Sequence, residues 1–256
     1  MIDCPIIDTH VHICDSVFDR DRGVVLARAQ MAGIAACVAV SETLAEARRN
    51  LELATVYPLL RPAAGLYPTY LDLQQAAAIA DFIRQERERL VAIGEVGLDF
   101  WAVRDEEAQA VQRRIFADFI DLAGELDLPL NVHSRSAGRH AVALLLERGA
   151  SRVQLHAFDG KISAAMPAVA AGYYFSIPPS LVRSRQKQKL VKQLPLSCLL
   201  VETDSPVLGP TPAERNEPGN AVVAIRAIAE LKGLTEAEVA RALMDNCRRL
   251  YGAIIP

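Results

Sequence analysis

Leu200-Val201-Glu202-Thr203-Asp204-Ser205-Pro206 starts as an apolar strand and turns acidic at its end. Near the opposite terminus, Ile6-Ile7-Asp8-Thr9-His10-Val11-His12 has the same form and ends in two histidines. Three stretches between them repeat it: Ile93-Gly94-Glu95-Val96-Gly97-Leu98-Asp99, Leu130-Asn131-Val132-His133-Ser134-Arg135 and Gln154-Leu155-His156-Ala157-Phe158. Apolar first and polar last is the pattern of a buried parallel strand that emerges into a loop. For the five polar ends to share one site, the last strand must lie beside the first. Only a closed ring of strands does that, whereas an open doubly wound sheet gathers its ligands at one switch point.

Working outward, strand-like and helix-like runs alternate along the whole chain. Strands are expected over residues 5–12, 34–40, 60–66, 91–96, 128–132, 152–156, 173–177 and 197–202. Helices are expected over 23–32, 44–57, 71–90, 105–126, 138–148, about 163–171, 181–193, about 221–231 and 235–251. Eight strands alternating with helices read as an α/β fold, a TIM-type (β/α)8 barrel, single domain, over residues 1–256. The Pro- and Gly-rich stretch 205–219 reads as the last strand's active-site loop rather than a domain boundary.

Apolar residues make up 51% of the 256, enough for a sizeable core, and the net charge of −3 excludes a strongly basic nucleic-acid coat without excluding a nuclease. Cys4, Cys14, Cys37, Cys198 and Cys247 form no CxxC pair and are odd in number, which reads as reduced thiols of a cytoplasmic protein. Cys14, just past the HxH pair, is read as a small buried hydrophobe close to the site. No basic segment followed by an apolar run opens the chain, and no 18-residue apolar stretch occurs, so neither secretion nor a membrane span is expected. No obligate protein partner is inferred.

His10 and His12 are two apart on a strand and face the same way, into the top of the barrel. Two imidazoles aimed at one point repel when protonated, and a metal ion resolves this, although an HxH pair alone also occurs in structural roles. Glu95 ends a run that is otherwise apolar and needs a cation or strong donors. A salt bridge to an interior Arg would serve it as well as metal. His133 and His156 repeat the pattern on the next two strands, and Asp204 closes the ring unless it merely caps a turn. Neutral imidazole and carboxylate together suit a zinc- or manganese-like ion. His140 lies in a helical segment and is assigned to surface or packing.

Together these residues resemble the TatD family of metal-dependent hydrolases, a branch of the amidohydrolase-like barrels. The marks are Asp8-x-His10-x-His12, the run Gly94 to Asp99, His133-x-Arg135, His156-x-Phe158 followed by Gly160, the run Glu202 to Pro206, and Arg215-Asn216-Glu217-Pro218. The chain departs from the family with Ala157 where Cys is common, a trimmed loop after Asp204, and Ser176-Ile177-Pro178-Pro179-Ser180 at the end of strand 7. All three lie where substrate should sit. The resemblance implies two divalent ions, Mg²⁺, Mn²⁺ or Zn²⁺. One would be held by His10, His12 and Asp204, the other by His133 and His156, with Glu95 bridging. It also implies DNase activity, in the family often 3′-to-5′ on single strands.

On this reading Asp204 is the general base, and Glu95 is counted with it as catalytic. Arg135 grips a phosphate, and Arg215 and Glu217 shape the substrate pocket. From Gly160 to Val201 there is no acid, while Lys161, Arg183, Arg185, Lys187, Lys189 and Lys192 are basic, which favours a phosphate-bearing substrate such as DNA. A solvated basic helix face would look the same. Trp101 is the best candidate for stacking a base. Two other readings stand beside the nuclease. One is a hydrolase of small amides, lactones or phosphoesters, and the other is a barrel that binds nucleic acid or a partner without turnover.

Overall fold

In a computed structural model that describes residues 4–254, eight parallel strands follow one another in chain order. They are β1 (Ile6–Val11), β2 (Ile34–Ala39), β3 (Leu60–Ala64), β4 (Ala92–Gly97), β5 (Leu130–His133), β6 (Val153–Leu155), β7 (Tyr174–Ile177) and β8 (Leu199–Val201). Helices α1 (Arg22–Met31), α2 (Leu44–Val56), α3 (Leu73–Gln85), α4 (Glu106–Leu126), α5 (Gly138–Glu147), α6 (Ile162–Ala170) and α7 (Arg185–Gln193) return the chain between strands. Helices α8 (Ala221–Lys232) and α9 (Glu236–Tyr251) follow β8. Residues 1–3 and 255–256, the ends of the expected 1–256 unit, lie outside the described residues.

The ring closes between the ends of β1 and β8. The Asp204 N–H donates to the His10 carbonyl and the His12 N–H to the Ser205 carbonyl, each at 2.9 Å. The Thr9 hydroxyl donates to the Val201 carbonyl at 2.8 Å. The barrel is therefore the TIM type that the strand-end pattern required. Alternation along each strand divides the core into two shells. Ile6, Cys37, Ala39, Leu60 and Ile93 pack outward with the helices. Ile7, Ala36, Val38, Ala63 and Ala92 pack inward with Met244, Cys247, Leu250 and Tyr251 of α9.

Two expected helices are shorter than their apolar pattern implied, because a capping side chain restarts the backbone. Asp72 accepts from the Gln74 and Gln75 N–H groups, so α3 begins at Leu73, and a separate 3-10 turn covers Arg87–Arg89. The run 181–193 breaks at Ser184, which caps α7 by accepting from the Lys187 N–H after a 3-10 turn at Pro179–Arg183. Strands β6 and β8 also stop early, so His156, Glu202 and Asp204 stand just past the last paired residues. Between β4 and β5 the backbones approach too closely for side chains. A Cβ on Gly94 would lie 2.6 Å from the Asn131 Cβ, and one on Gly97 (φ +145°) would overlap the His133 carbonyl. These glycines bring Glu95 against His133.

Candidate metal centre

His10, His12, Glu95, His133, His156 and Asp204 converge at the C-terminal ends of β1, β4, β5, β6 and β8; all but the fully buried His10 line the floor of a cavity of about 760 Å³. The Nε2 atoms of His10 and His12 face each other at 3.2 Å. Asp204 Oδ1 lies 3.5 Å from the first and 3.3 Å from the second. Glu95 Oε2 lies 3.8 and 3.5 Å from the same two nitrogens. The other carboxylate oxygen of Glu95 turns to a different pair: Oε1 is 2.6 Å from His133 Nδ1 and 3.0 Å from His156 Nε2, and these nitrogens are 3.3 Å apart.

Such separations fit divalent ions. Two donors about 2.1 Å from one ion, at tetrahedral or octahedral angles, are about 3.0–3.4 Å from each other. The nitrogen pairs fall in that range, and the mixed imidazole–carboxylate set is the one such ions take. Glu95 is the only one of the six that offers an oxygen to both groups.

A second ring of groups fixes which nitrogen of each imidazole turns inward. His10 donates from Nδ1 to Asn131 Oδ1 at 2.9 Å. His133 turns Nε2 to Asp99 Oδ2 at 3.2 Å. His156 Nδ1 lies 3.5 Å from Glu202 Oε2, an ion-pair distance rather than a well-formed hydrogen bond. His12 Nδ1 lies 3.9 Å from Glu42 Oε1. These partners are themselves held. Asp99 Oδ1 accepts from the Trp101 and Ala102 N–H groups. Glu202 accepts from the Ala157 N–H at 2.8 Å and the Ser176 hydroxyl at 2.5 Å. Asn131 donates to the Thr9 carbonyl and the Tyr251 hydroxyl.

Asn131, Asp99 and Glu202 stood in the quoted motifs without a role. A signal for two of them existed. Asn131 precedes His133 by two and Glu202 precedes Asp204 by two, and Gln154 stands in the same relation to His156. Period two places such residues one pleat below the ligand layer. There Asn131 and Gln154 form a buried polar layer: both donate to the Thr9 carbonyl, and Tyr251 donates to Gln154 at 2.6 Å.

Within the cluster the acids and imidazoles offset one another's charge. Burial works against the Glu95 carboxylate, but His133 and His156 outweigh it and hold the group well below the usual carboxylate range. Burial also opposes a charge on His12, yet Asp204, Glu95 and Glu42 raise it to about 9. His133 and His156 are raised likewise, against burial, chiefly by Glu95 in the first and Glu202 in the second. His10 goes the other way, to about 3, through burial and the stacked His156 ring with centroids 3.9 Å apart.

Arg135 lines the cavity, with its guanidinium 3.7 Å above the ring of Trp101, which is 53% exposed. Cys14 also lines the cavity; it is partly buried rather than fully so, and burial pushes its thiol up to about 12. His140 is exposed and tilts against Phe100. Arg215 and Glu217, expected to shape the substrate pocket, do not line the cavity. Arg215 grips Asp21 at 3.0 and 2.6 Å and lies over Phe18, and Glu217 holds Arg28 at 2.9 and 2.6 Å. Their charges are taken up in tying the loop after β8 to α1. The residue between them does reach the site's backbone: Asn216 Nδ2 donates to the Thr203 and Val207 carbonyls, both at 2.7 Å.

A family profile described as TatD related DNase matches residues 7–252. The chain is 46% identical to human "Deoxyribonuclease TATDN3", over 96% of this chain and 94% of the relative. It is 33% identical to the "3'-5' ssDNA/RNA exonuclease TatD" of Escherichia fergusonii, over 96% and 98%. Among solved structures, the TatD homologue YjjV of Escherichia coli K12 superposes with a TM-score of 0.90 at 28% identity, over the full length of both chains. Among the described residues, no helix is long and apolar enough to cross a membrane.

Proposed function

Because the chain belongs to the TatD-related DNase family, we propose that it is a divalent-metal-dependent hydrolase of phosphodiester bonds in DNA, acting on single strands from an end. The observation that carries this reading is the division of Glu95, one oxygen toward His10 and His12 and the other toward His133 and His156. On this reading His10, His12, Asp204 and Glu95 would hold one ion and His133, His156 and Glu95 a second, the metal being Mg²⁺, Mn²⁺ or Zn²⁺. When bound, such ions lower the pKa of water and neutralise charge on a phosphoryl oxygen.

The chain's own residues supply the rest. Asp204, at the mouth of the first group, takes the proton from the attacking water. Asn131, Asp99 and Glu202 keep three imidazoles turned inward, and Arg135 with Trp101 offers a cation and an aromatic face to a nucleotide at the rim. A cavity of about 760 Å³ admits a nucleotide or two of a flexible strand and too little of a duplex, which favours work at a single-stranded end. The substrate partner is then DNA. The setting we infer is the cytoplasm, supported by the reduced thiols Cys14, Cys37, Cys198 and Cys247.

The test is to strip the protein of metal and reload it separately with Mg²⁺, Mn²⁺ and Zn²⁺. Each form is offered single-stranded DNA, RNA, and small esters and amides. Metal-dependent release of nucleotides from single-stranded DNA is the expected result. Turnover confined to the small esters or amides would replace the nuclease with a small-molecule hydrolase on the same centre.

A further inference from the structure

Of the basic residues in the acid-free stretch from Gly160 to Val201, one behaves differently from the rest. Arg183, Arg185, Lys189 and Lys192 are exposed. Lys187, one turn into α7, points inward and lines the cavity beside His156, Ala157 and Asp204. Its direction follows from the helix break. Ser184 restarts the backbone and sets the phase of α7 so that Leu190 and Val191 are buried and Lys187 faces the barrel mouth. Among the described residues, Lys187 and Arg135 are the only Lys or Arg side chains in the cavity wall, and Arg135 is engaged with Trp101 at the rim.

The ammonium of Lys187 has one acceptor in the protein among the described residues, the Ala157 carbonyl at 2.8 Å. An ammonium has three hydrogens to donate. Two remain for a ligand, on a half-buried group next to the candidate metal ligands. The opposite wall carries Glu42, Glu46 and Asp15, while on its own side of the cavity Lys187 has Asp159 as an acidic neighbour in the lining. The segment that presents Lys187 is tied to the loop after β6 through Asp159. The Ser136 N–H donates to the Asp159 carboxylate at 3.0 Å, and the Gln186 amide donates to the Asp159 carbonyl. The lysine is thus presented from a helix rather than a loop, with its ammonium already held on the Ala157 carbonyl.

We propose that Lys187 is a catalytic residue that grips the non-bridging oxygens of the phosphodiester under attack. This deepens the nuclease reading and rests on it. In the step, the water oxygen forms the new bond to phosphorus and its proton passes to Asp204. The old P–O bond breaks toward the leaving sugar oxygen, which takes a proton from solvent. Lys187 exchanges no proton; it donates hydrogen bonds to oxygens whose charge grows in the transition state. Arg135 and Trp101 then hold the neighbouring nucleotide, while Arg183 and Arg185 act outside the cavity on the rest of the strand.

The experiment compares metal-loaded wild type with K187M, K187R and R185A. It measures kcat and KM on a single-stranded oligonucleotide, metal content, and calorimetric binding of inorganic phosphate. Removing one prepositioned donor lowers kcat by about 10²-fold. K187M is therefore expected to lose about that much, to bind phosphate at least about tenfold more weakly, and to keep its metal. K187R is expected to recover most of both, and R185A to change KM and salt dependence with kcat intact. A K187M protein with wild-type kcat, or one whose phosphate affinity is unchanged, overturns the proposal. Wild type that cleaves no nucleic acid, yet binds phosphate through Lys187, refutes the nuclease reading and leaves the phosphate subsite standing.

Discussion

Replacing Glu202 with glutamine removes one buried negative charge while keeping the side chain's shape. Glu202 touches none of the facing nitrogens; its Oε2 lies 3.5 Å from His156 Nδ1, on the far side of the ring. The amide can still accept from either the Ala157 N–H or the Ser176 hydroxyl, so the fold is expected to survive. At 3.5 Å, the attraction between a full carboxylate charge and a full positive charge is about 5 kcal/mol for an effective dielectric near 20. That is a ceiling, because a metal-bound imidazole carries only part of the ion's charge. Loss of such an outer partner costs roughly 10- to 100-fold in metal affinity, or about 1.4–2.7 kcal/mol. E202Q is therefore expected to weaken one of two Mn²⁺ sites by that factor and leave the other within about threefold of wild type. Competition against a fluorescent chelator reads both sites. Equal weakening of the two would refute the assignment of Glu202 to His156, and so would an unchanged pair of affinities in a folded variant.

D204N is expected to lose about 10²-fold or more in kcat with substrate binding largely kept, since an amide cannot take the proton; metal analysis of the same sample must show the ions retained. Metal affinity is expected to rise with pH. His12, raised to about 9, and His133 and His156, raised likewise, carry protons that the ions must displace, so each unit of pH gained through that range favours binding. Calorimetry at pH 7 in buffers of different ionisation enthalpy should register those protons leaving, and buffer-independent heats would count against it. R215A is expected to keep kcat and metal content and to lower the melting temperature, because its contacts join the loop after β8 to α1 and not to the cavity; a large fall in kcat at normal metal content would return Arg215 to the substrate site.

The barrel and the six facing side chains were legible because each rests on a local pattern: an apolar run that turns polar, repeated strand by strand. What was missed depends on partners far away in sequence. Arg215 and Glu217 follow a ligand strand closely, yet their charges are matched by Asp21 and Arg28 on α1, nearly the whole chain away. Lys187 could not be separated from Arg183 and Arg185 while the stretch read as one helix. The Ser184 cap changes the helical phase, and with it which basic residue faces the cavity. The outer partners were a different case. Asn131 and Glu202 were within reach of the period-two rule already used for His10 and His12, had it been carried one pleat below the ligands.

The central claim is that six side chains make two ion sites joined by Glu95. The most direct measurement is a crystal structure of the Mn²⁺-loaded protein with anomalous scattering recorded at the manganese edge. Two peaks are predicted, one within about 2.3 Å of His10 Nε2, His12 Nε2, Asp204 Oδ1 and a Glu95 oxygen, the other equally close to His133 Nδ1, His156 Nε2 and the remaining Glu95 oxygen. A single peak, or two peaks that do not share Glu95, would contradict the account.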